Sequence, residues 1–189
     1  MKIMRVPIVE QYLPKTDQEA IDKHVMLAVA KHHENVFYRS CLHAHFTSSA
    51  FVVNETYDKI LFAHHNIYQA WGWLGGHNDG DENFMHVALK EAREESGLIN
   101  VRPHSSDVLT LDVIFVENHR KNGNYVPDHL HLNLAFLLVA DEQDALRVKP
   151  DENSGVRWFA IDEVLTHVDE PRMMAVYEKA FSEIKRQRP

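Results

Sequence analysis

The sequence predicts a mixed α/β domain, an α/β/α sandwich in which helices cover both faces of a mixed sheet, preceded by an N-terminal helical extension. Three observations predict it. Runs rich in β-branched and aromatic residues come in two pairs, each divided by turn residues, at 42–67 and 107–140. A helix-length stretch with a capping residue and a terminal glycine stands between the pairs, at 83–97. The chain closes with a short apolar strand, Val156-Arg-Trp-Phe, and an amphipathic helix from Pro171 to near Arg186.

Residues 1–15 read as an extended arm. Thr16-Asp17-Gln18-Glu19 is a capping box, with Thr16 as the cap and Glu19 reaching back. The helix it opens runs to near His33, with Ile21, Val25, Ala28, Val29 and His32 along one side. That side can cover the sheet, line a pocket or make a homodimer contact. The expected division is 1–38 for arm and helix and 39–189 for the main domain. Leu42 to Asn54 and Lys59 to Ile67 form a hairpin around Asn54-Glu55-Thr56-Tyr57-Asp58. Trp71 and Trp73 alternate on the next extended segment. Asp107 to Glu117 and Leu130 to Ala140 form a second hairpin, turning at Asn122-Gly123-Asn124. Pro150 to Gly155 is a loop, Asp162-Glu163 opens a short helix, and Met174, Tyr177, Phe181 and Ile184 share the apolar face of the last one.

Composition narrows the function. Of 189 residues 44% are hydrophobic, which supports a sizeable core and excludes disorder. A net charge of −8 argues against sequence-independent binding to nucleic acid. The lone cysteine, Cys41, permits no internal disulfide and fits a reducing cytoplasm. The opening Met-Lys-Ile-Met-Arg-Val-Pro lacks the apolar run of a signal peptide. No segment approaches the ~18–20 apolar residues of a membrane span.

The chemistry concentrates between Gly75 and Leu98. Asn83 is the expected N-cap and Gly97 the left-handed C-cap of a helix whose packing stripe is Met85, Ala88, Leu89, Ala92 and Ser96. Glu91, Glu94 and Glu95 fall together on another arc, with Asp79, Asp81 and Glu82 on the loop before it. Like charges at this spacing cost a helix only about 0.2–0.5 kcal/mol per pair, so a solvated acidic face steadied by Lys90 and Arg93 is one account. A hard divalent cation that relieves the repulsion is the other, since Mg²⁺ and Mn²⁺ prefer oxygen ligands.

The spacing of these acids resembles the Nudix box, Gly-x5-Glu-x7-Arg-Glu-U-x-Glu-Glu-x-Gly-U, where U is aliphatic. Gly76 starts it, Glu82 is the first acid, and Glu91, Ala92, Glu94, Glu95, Gly97 and Leu98 follow in register. Lys90 replaces the box arginine, keeping the charge but losing the planar fork. Leu74 stands where many members have proline, and Trp-Phe-x-Ile-Asp-Glu-Val at 158–164 resembles the end of many Nudix domains. The resemblance implies the Nudix α/β/α sandwich and hydrolysis of a pyrophosphate linkage in a small-molecule diphosphate, often a nucleoside diphosphate joined to another group. It implies Mg²⁺ or Mn²⁺ held by Glu94 and Glu95, then Glu91, with the Gly75 carbonyl beside them. Lys90 is expected to pair with a box glutamate, with Glu94 in reach at i+4. Glu91 and Glu117 are the candidates for general base.

Fourteen histidines are unusual in a chain of this length. His43-x-His45 and His129-x-His131 each place two rings on one side of a strand. If the strands are neighbours, four imidazoles converge, as phosphate contacts, a proton relay or a softer metal site; polar residues on the less buried face of a sheet are the plain alternative. His77, beside the box glycine, is a pocket candidate. His32-His33 and His64-His65 read as surface. Trp71 or Trp73 can stack on a base, with core packing the expected use of at least one. The expected substrate contacts are therefore His43, His45, His77, His131, Trp71 and Glu117.

Two other functions are consistent with the fold. Leu-His-Ala-His-Phe and the Gly-His pair resemble isopentenyl-diphosphate isomerases, but those enzymes carry a reactive cysteine where this chain has Gly75. A Nudix-fold ligand-binding module without turnover would be expected to have degraded box glutamates; here all are intact.

Overall fold

The computed structural model describes residues 4–121 and 123–188. The arm is not extended throughout: Pro7 opens a short helix, α1 (Pro7–Gln11), where its fixed φ suits the first turn. Helix α2 (Asp17–His32) starts as expected, with the Thr16 hydroxyl accepting from the Glu19 amide at 3.1 Å. The Glu19 carboxylate reaches back to the Lys15 amide at 2.7 Å.

The apolar side expected of α2 is not the one it buries. Ile21 is 66% exposed, whereas Glu19, Met26 and Ala30 are buried. Met26 and Ala30 join the core, with Leu27 and Val29 packed against it, and the helix is further anchored by polar contacts that apolar periodicity cannot reveal. Lys23 donates to the carbonyls of Glu10 and Tyr12 at 2.8 and 2.7 Å, and Asp22 accepts from the Val113 amide at 2.8 Å. Buried Glu19 lies 3.2 Å from the Lys179 ammonium, which sits 2.6 Å from buried Asp112.

The strands are β1 (Ala44–Asn54), β2 (Lys59–His65), β3 (Ala70–Gly72), β4 (Leu74–His77), β5 (Val101–Val116), β6 (His119–Lys121), β7 (Asn124–Val126), β8 (His129–Ala140) and β9 (Asn153–Ala160). Helix α3 (Phe84–Ser96) lies between β4 and β5, and α4 (Met174–Gln187) closes the chain. One seven-stranded sheet runs β3-β2-β1-β8-β5, with β4 also on β1 and β9 on β2. Both expected hairpins form, but β5 begins earlier than expected, at Val101, and β6–β7 extends the tip of the second. Asn122 of the expected turn lies outside the described residues. The expected short helix after β9 is a 3-10 turn, Val164–His167, and a second, Pro171–Met173, leads into α4. In α4 the buried side is Tyr177, Ala180, Phe181 and Ile184; Met173 is buried just before it, while Met174 is half-buried.

Alternation sorts β1 and β8, which pair in parallel from Ala44↔Leu130 to Asn54↔Ala140, into two faces. Phe46, Ala50 and Val52, with Leu132, Leu134, Phe136 and Leu138, pack beneath α2 and α3. Phe51 and Val53, with Ala135, Leu137 and Val139, pack beneath α4. Toward the other end of this second face the same alternation brings up His45, Thr47, Ser49, His129, His131 and Asn133. One face is thus apolar under α4 and polar where the site lies.

Candidate active site

Two glycines let the box helix meet the sheet. β4 pairs with β1, Ser49 opposite Gly75 and Ser48 opposite Gly76. A Cβ on Gly75 would lie 2.7 Å from the Ser48 carbonyl oxygen; one on Gly76 would lie 2.6 Å from the Glu91 carboxyl carbon. Glycine is the residue that allows both approaches. Asn83 caps α3 by accepting from the His86 amide at 3.0 Å, and Gly97 ends it with φ 76°.

Helix α3 does not present its three glutamates alike. Glu91 and Glu95 are buried with Ala88, Ala92 and Ser96, while Met85 and Leu89 of the expected stripe are half-buried. Glu94 turns to the rim, where Lys149 and Lys90 approach at 3.2 and 3.5 Å. Lys90 pairs with box glutamates as expected, with Glu91 at 3.0 Å as well as with Glu94. Glu91 and Glu95 are joined by Glu152, from the loop before β9; one oxygen of each lies within 4.8 Å of the others. The Gly75 amide donates to Glu95 Oε1 at 3.0 Å, whereas Oε2 is buried without a hydrogen-bond partner.

These contacts set the charge states. Burial pushes the Glu95 carboxyl well above the usual range, against the Gly75 amide; Glu91 and Glu152 push it further. Partial burial acts on Glu94 in the same direction, but Lys149 and Lys90 together hold it below the usual range. Burial opposes charge on Lys149, and Glu152 and Glu94 more than compensate, raising its pKa.

The carboxylates open into a cleft of about 460 Å³. Its walls include Thr47, Ser49 and Asn133, with Tyr68, Trp73 and Phe115 supplying aromatic surface. Asn133 Oδ1 accepts from Thr47 and Ser49 at 2.9 and 2.8 Å, fixing the polar floor. His65, read from sequence as surface, also lines this cleft, its Nε2 2.8 Å from the Trp73 carbonyl. A smaller cavity of about 180 Å³ adjoins it, with His77 and His131 lining both.

The histidine cluster forms with one change of membership. Ring nitrogens of His45, His77, His129 and His131 lie within 4.8 Å of one another. His43 precedes β1, is exposed, and faces His33 at 3.0 Å instead. Trp71 lines neither cavity; it packs on Phe159 and beneath the Arg157 guanidinium. Glu117 also lines neither cavity, being exposed and paired with Arg172 at 2.8 Å. Sequence reasoning missed Glu152 and Asn133. Acid in the Pro150–Gly155 loop was the available signal for the first; His-x-His-x-Asn alternation was the signal for the second.

A family model for the NUDIX domain matches residues 44–180. The chain belongs to the Nudix family. Three solved structures share the Nudix fold with it. A C. elegans Ap4A hydrolase is 14% identical with a TM-score of 0.55, over 74% of this chain and 97% of that one. A Nudix hydrolase from M. smegmatis, RenU, is 16% identical with a TM-score of 0.54, over 77% and 88%. A NUDIX-family hydrolase from Clostridium perfringens is 20% identical with a TM-score of 0.52, over 72% and 95%. No curated protein matches the chain. Among the described residues, no helix of this Nudix protein is long and apolar enough to cross a membrane.

Proposed function

We propose that this Nudix protein is a divalent-metal-dependent hydrolase that cleaves the pyrophosphate linkage of a nucleoside diphosphate joined to another group, or of a related organic diphosphate. The observation that carries the reading is the convergence of Glu91, Glu95 and Glu152 at the cleft, with a buried Glu95 oxygen lacking a hydrogen-bond partner. Adjacent buried carboxylates with an unmet oxygen suit a hard cation. Glu91, Glu95 and Glu152 would hold Mg²⁺ or Mn²⁺, with the Gly75 carbonyl as a further donor. The ion supplies charge stabilisation for bridged phosphates and lowers the pKa of a bound water.

The chain's own groups do the rest. Glu94, at the rim beside Lys149 and Lys90, stays ionised and would orient the attacking water by accepting a hydrogen bond from it. Lys90 and Lys149 balance the acids and face incoming phosphate oxygens. Tyr68, Trp73 and Phe115 offer apolar surface to the organic group. The Ap4A hydrolase likeness is consistent with a nucleotide substrate.

The test is phosphate or nucleotide release from a panel of nucleoside diphosphate conjugates, with Mg²⁺, Mn²⁺ or chelator. Wild type should need the metal, and Glu95→Gln should lose most activity. Metal-independent turnover would overturn the reading. Saturable binding with no turnover on any substrate would identify a ligand-binding module instead.

A further inference from the structure

Four histidines that the hydrolytic reading leaves unused occupy the sheet beside the carboxylate cleft. His45 lies near the start of β1, His77 ends β4, and His129 and His131 begin β8. Parallel pairing sets His45 opposite His131, and His77 lies opposite Thr47. Ring centroids are 4.9 Å apart for His45 and His129, 5.0 Å for His45 and His77, and 4.9 Å for His77 and His131.

Hydrogen bonds on the outer side fix two of the rings. His45 Nδ1 lies 3.1 Å from the Cys41 carbonyl oxygen, and His129 Nδ1 lies 2.8 Å from that of Pro127. A carbonyl only accepts, so each Nδ1 carries the proton and each Nε2 presents its lone pair inward. His45 is 4% exposed, and its Nε2 is buried without a hydrogen-bond partner. His129 Nε2 faces His131 Nε2 at 3.2 Å. Leaving a buried acceptor unmet is costly. A cation on converging lone pairs relieves that cost, and a carbonyl behind the ring is the usual support of a metal-bound histidine.

The donor set selects the cation. Four imidazoles suit Zn²⁺ among the abundant divalent ions and offer nothing to Mg²⁺ or Ca²⁺, which want oxygen. We propose that His45, His77, His129 and His131 form a Zn²⁺ site, separate from the carboxylate centre, that clamps the end of β4 to β1 and β8. His77 follows Gly75 and Gly76 directly in β4, so the clamp holds the glycine segment of that strand, against which Glu91 and Glu95 rest. The proposal does not depend on the substrate or on turnover.

Metal-free full-length protein is titrated with Co²⁺ and then Zn²⁺. The expected result is intense visible bands of a tetrahedral nitrogen site that saturate at one Co²⁺ per chain and are bleached by Zn²⁺, any Co²⁺ on the carboxylates adding only the weak absorption of an octahedral oxygen site. His45→Gln and His129→Gln should weaken binding by more than about 100-fold, beyond the 10–100-fold typical of losing an outer hydrogen bond. Glu95→Gln and Glu152→Gln should retain the bands. In wild type, imidazole ¹⁵N resonances should show Nε2 of His45 and His129 shifting on Zn²⁺ addition while Nδ1 stays protonated, a readout independent of any variant's folding. Absence of stoichiometric uptake by wild type, or bands that survive in the histidine variants and vanish in Glu95→Gln, would overturn the proposal.

Discussion

Gly76→Ala should separate activity from stability. A Cβ there would stand 2.6 Å from the Glu91 carboxyl carbon and 2.9 Å from both its oxygens. Carbon atoms in contact rest at about 3.5–4.0 Å, so the carboxyl group must retreat by about 1 Å. It is the free end of a flexible side chain, and the backbone at Gly76 is not left-handed. The variant should therefore stay within about 1 kcal/mol of wild type in urea unfolding. A displacement of ~1 Å at a reacting centre costs about 100-fold in rate, or about 2.7 kcal/mol of transition-state stabilisation. Gly75→Ala is the contrast. Its Cβ would meet the Ser48 carbonyl at 2.7 Å and Ser49 Cα at 2.8 Å, which are β1 backbone and cannot swing aside. Overpacking of that kind costs roughly 1–3 kcal/mol, or roughly 2–12 °C in Tm for a chain of this size. Measuring kcat/KM and Tm for both variants decides the matter. Full activity in Gly76→Ala, or a Tm loss equal to that of Gly75→Ala, would refute the placement of Glu91 against β4.

Glu152→Gln should lower kcat and weaken Mn²⁺ binding, measured by calorimetry, at nearly unchanged Tm; unaltered Mn²⁺ affinity would remove Glu152 from the site. Lys179→Met should cost about 3–5 kcal/mol in urea unfolding at neutral pH, because it leaves buried Glu19 and Asp112 without their shared ammonium. Burial already raises the Asp112 pKa, so its contribution to stability is present below its unfolded value and lost as pH rises through the folded one. The deficit in Lys179→Met should therefore shrink on acidification. Asp144 accepts from the Ile99 and Asn100 amides, and the Asn100 contacts lead in holding its pKa low. Its contribution is present above the unfolded pKa and lost as pH falls through the lowered one. Asp144→Ala should thus lower Tm at pH 7 and match wild type once both are below that pKa, in parallel thermal scans.

What was legible in the sequence was local. The caps at Thr16, Asn83 and Gly97 depend on neighbours within a turn, and they appear where expected. Hairpins were legible because alternation and turn residues coincide. The buried side of α2 was not, because Lys23, Asp22 and Glu19 anchor it through polar partners remote in the chain. Glu152 was missed for a related reason: it reaches Glu91 and Glu95 only after β9 pairs with β2. The histidine cluster was legible but for one member. Strand alternation gave His45, His129 and His131, but only the β1–β4 pairing shows that His77 takes the place expected for His43.

The shared polar-and-apolar face of β1 and β8 makes strand alignment a functional variable. A one-residue slip of either strand would exchange its inward and outward side chains, driving imidazoles into hydrocarbon and leaving phenylalanine at the mouth of the cleft. Folding errors in this pair would be self-reporting, since a misaligned molecule would lose its ligand contacts and its greasy interior together. Conversely, the packing at the dry end keeps the alignment true for the ligand contacts at the wet end.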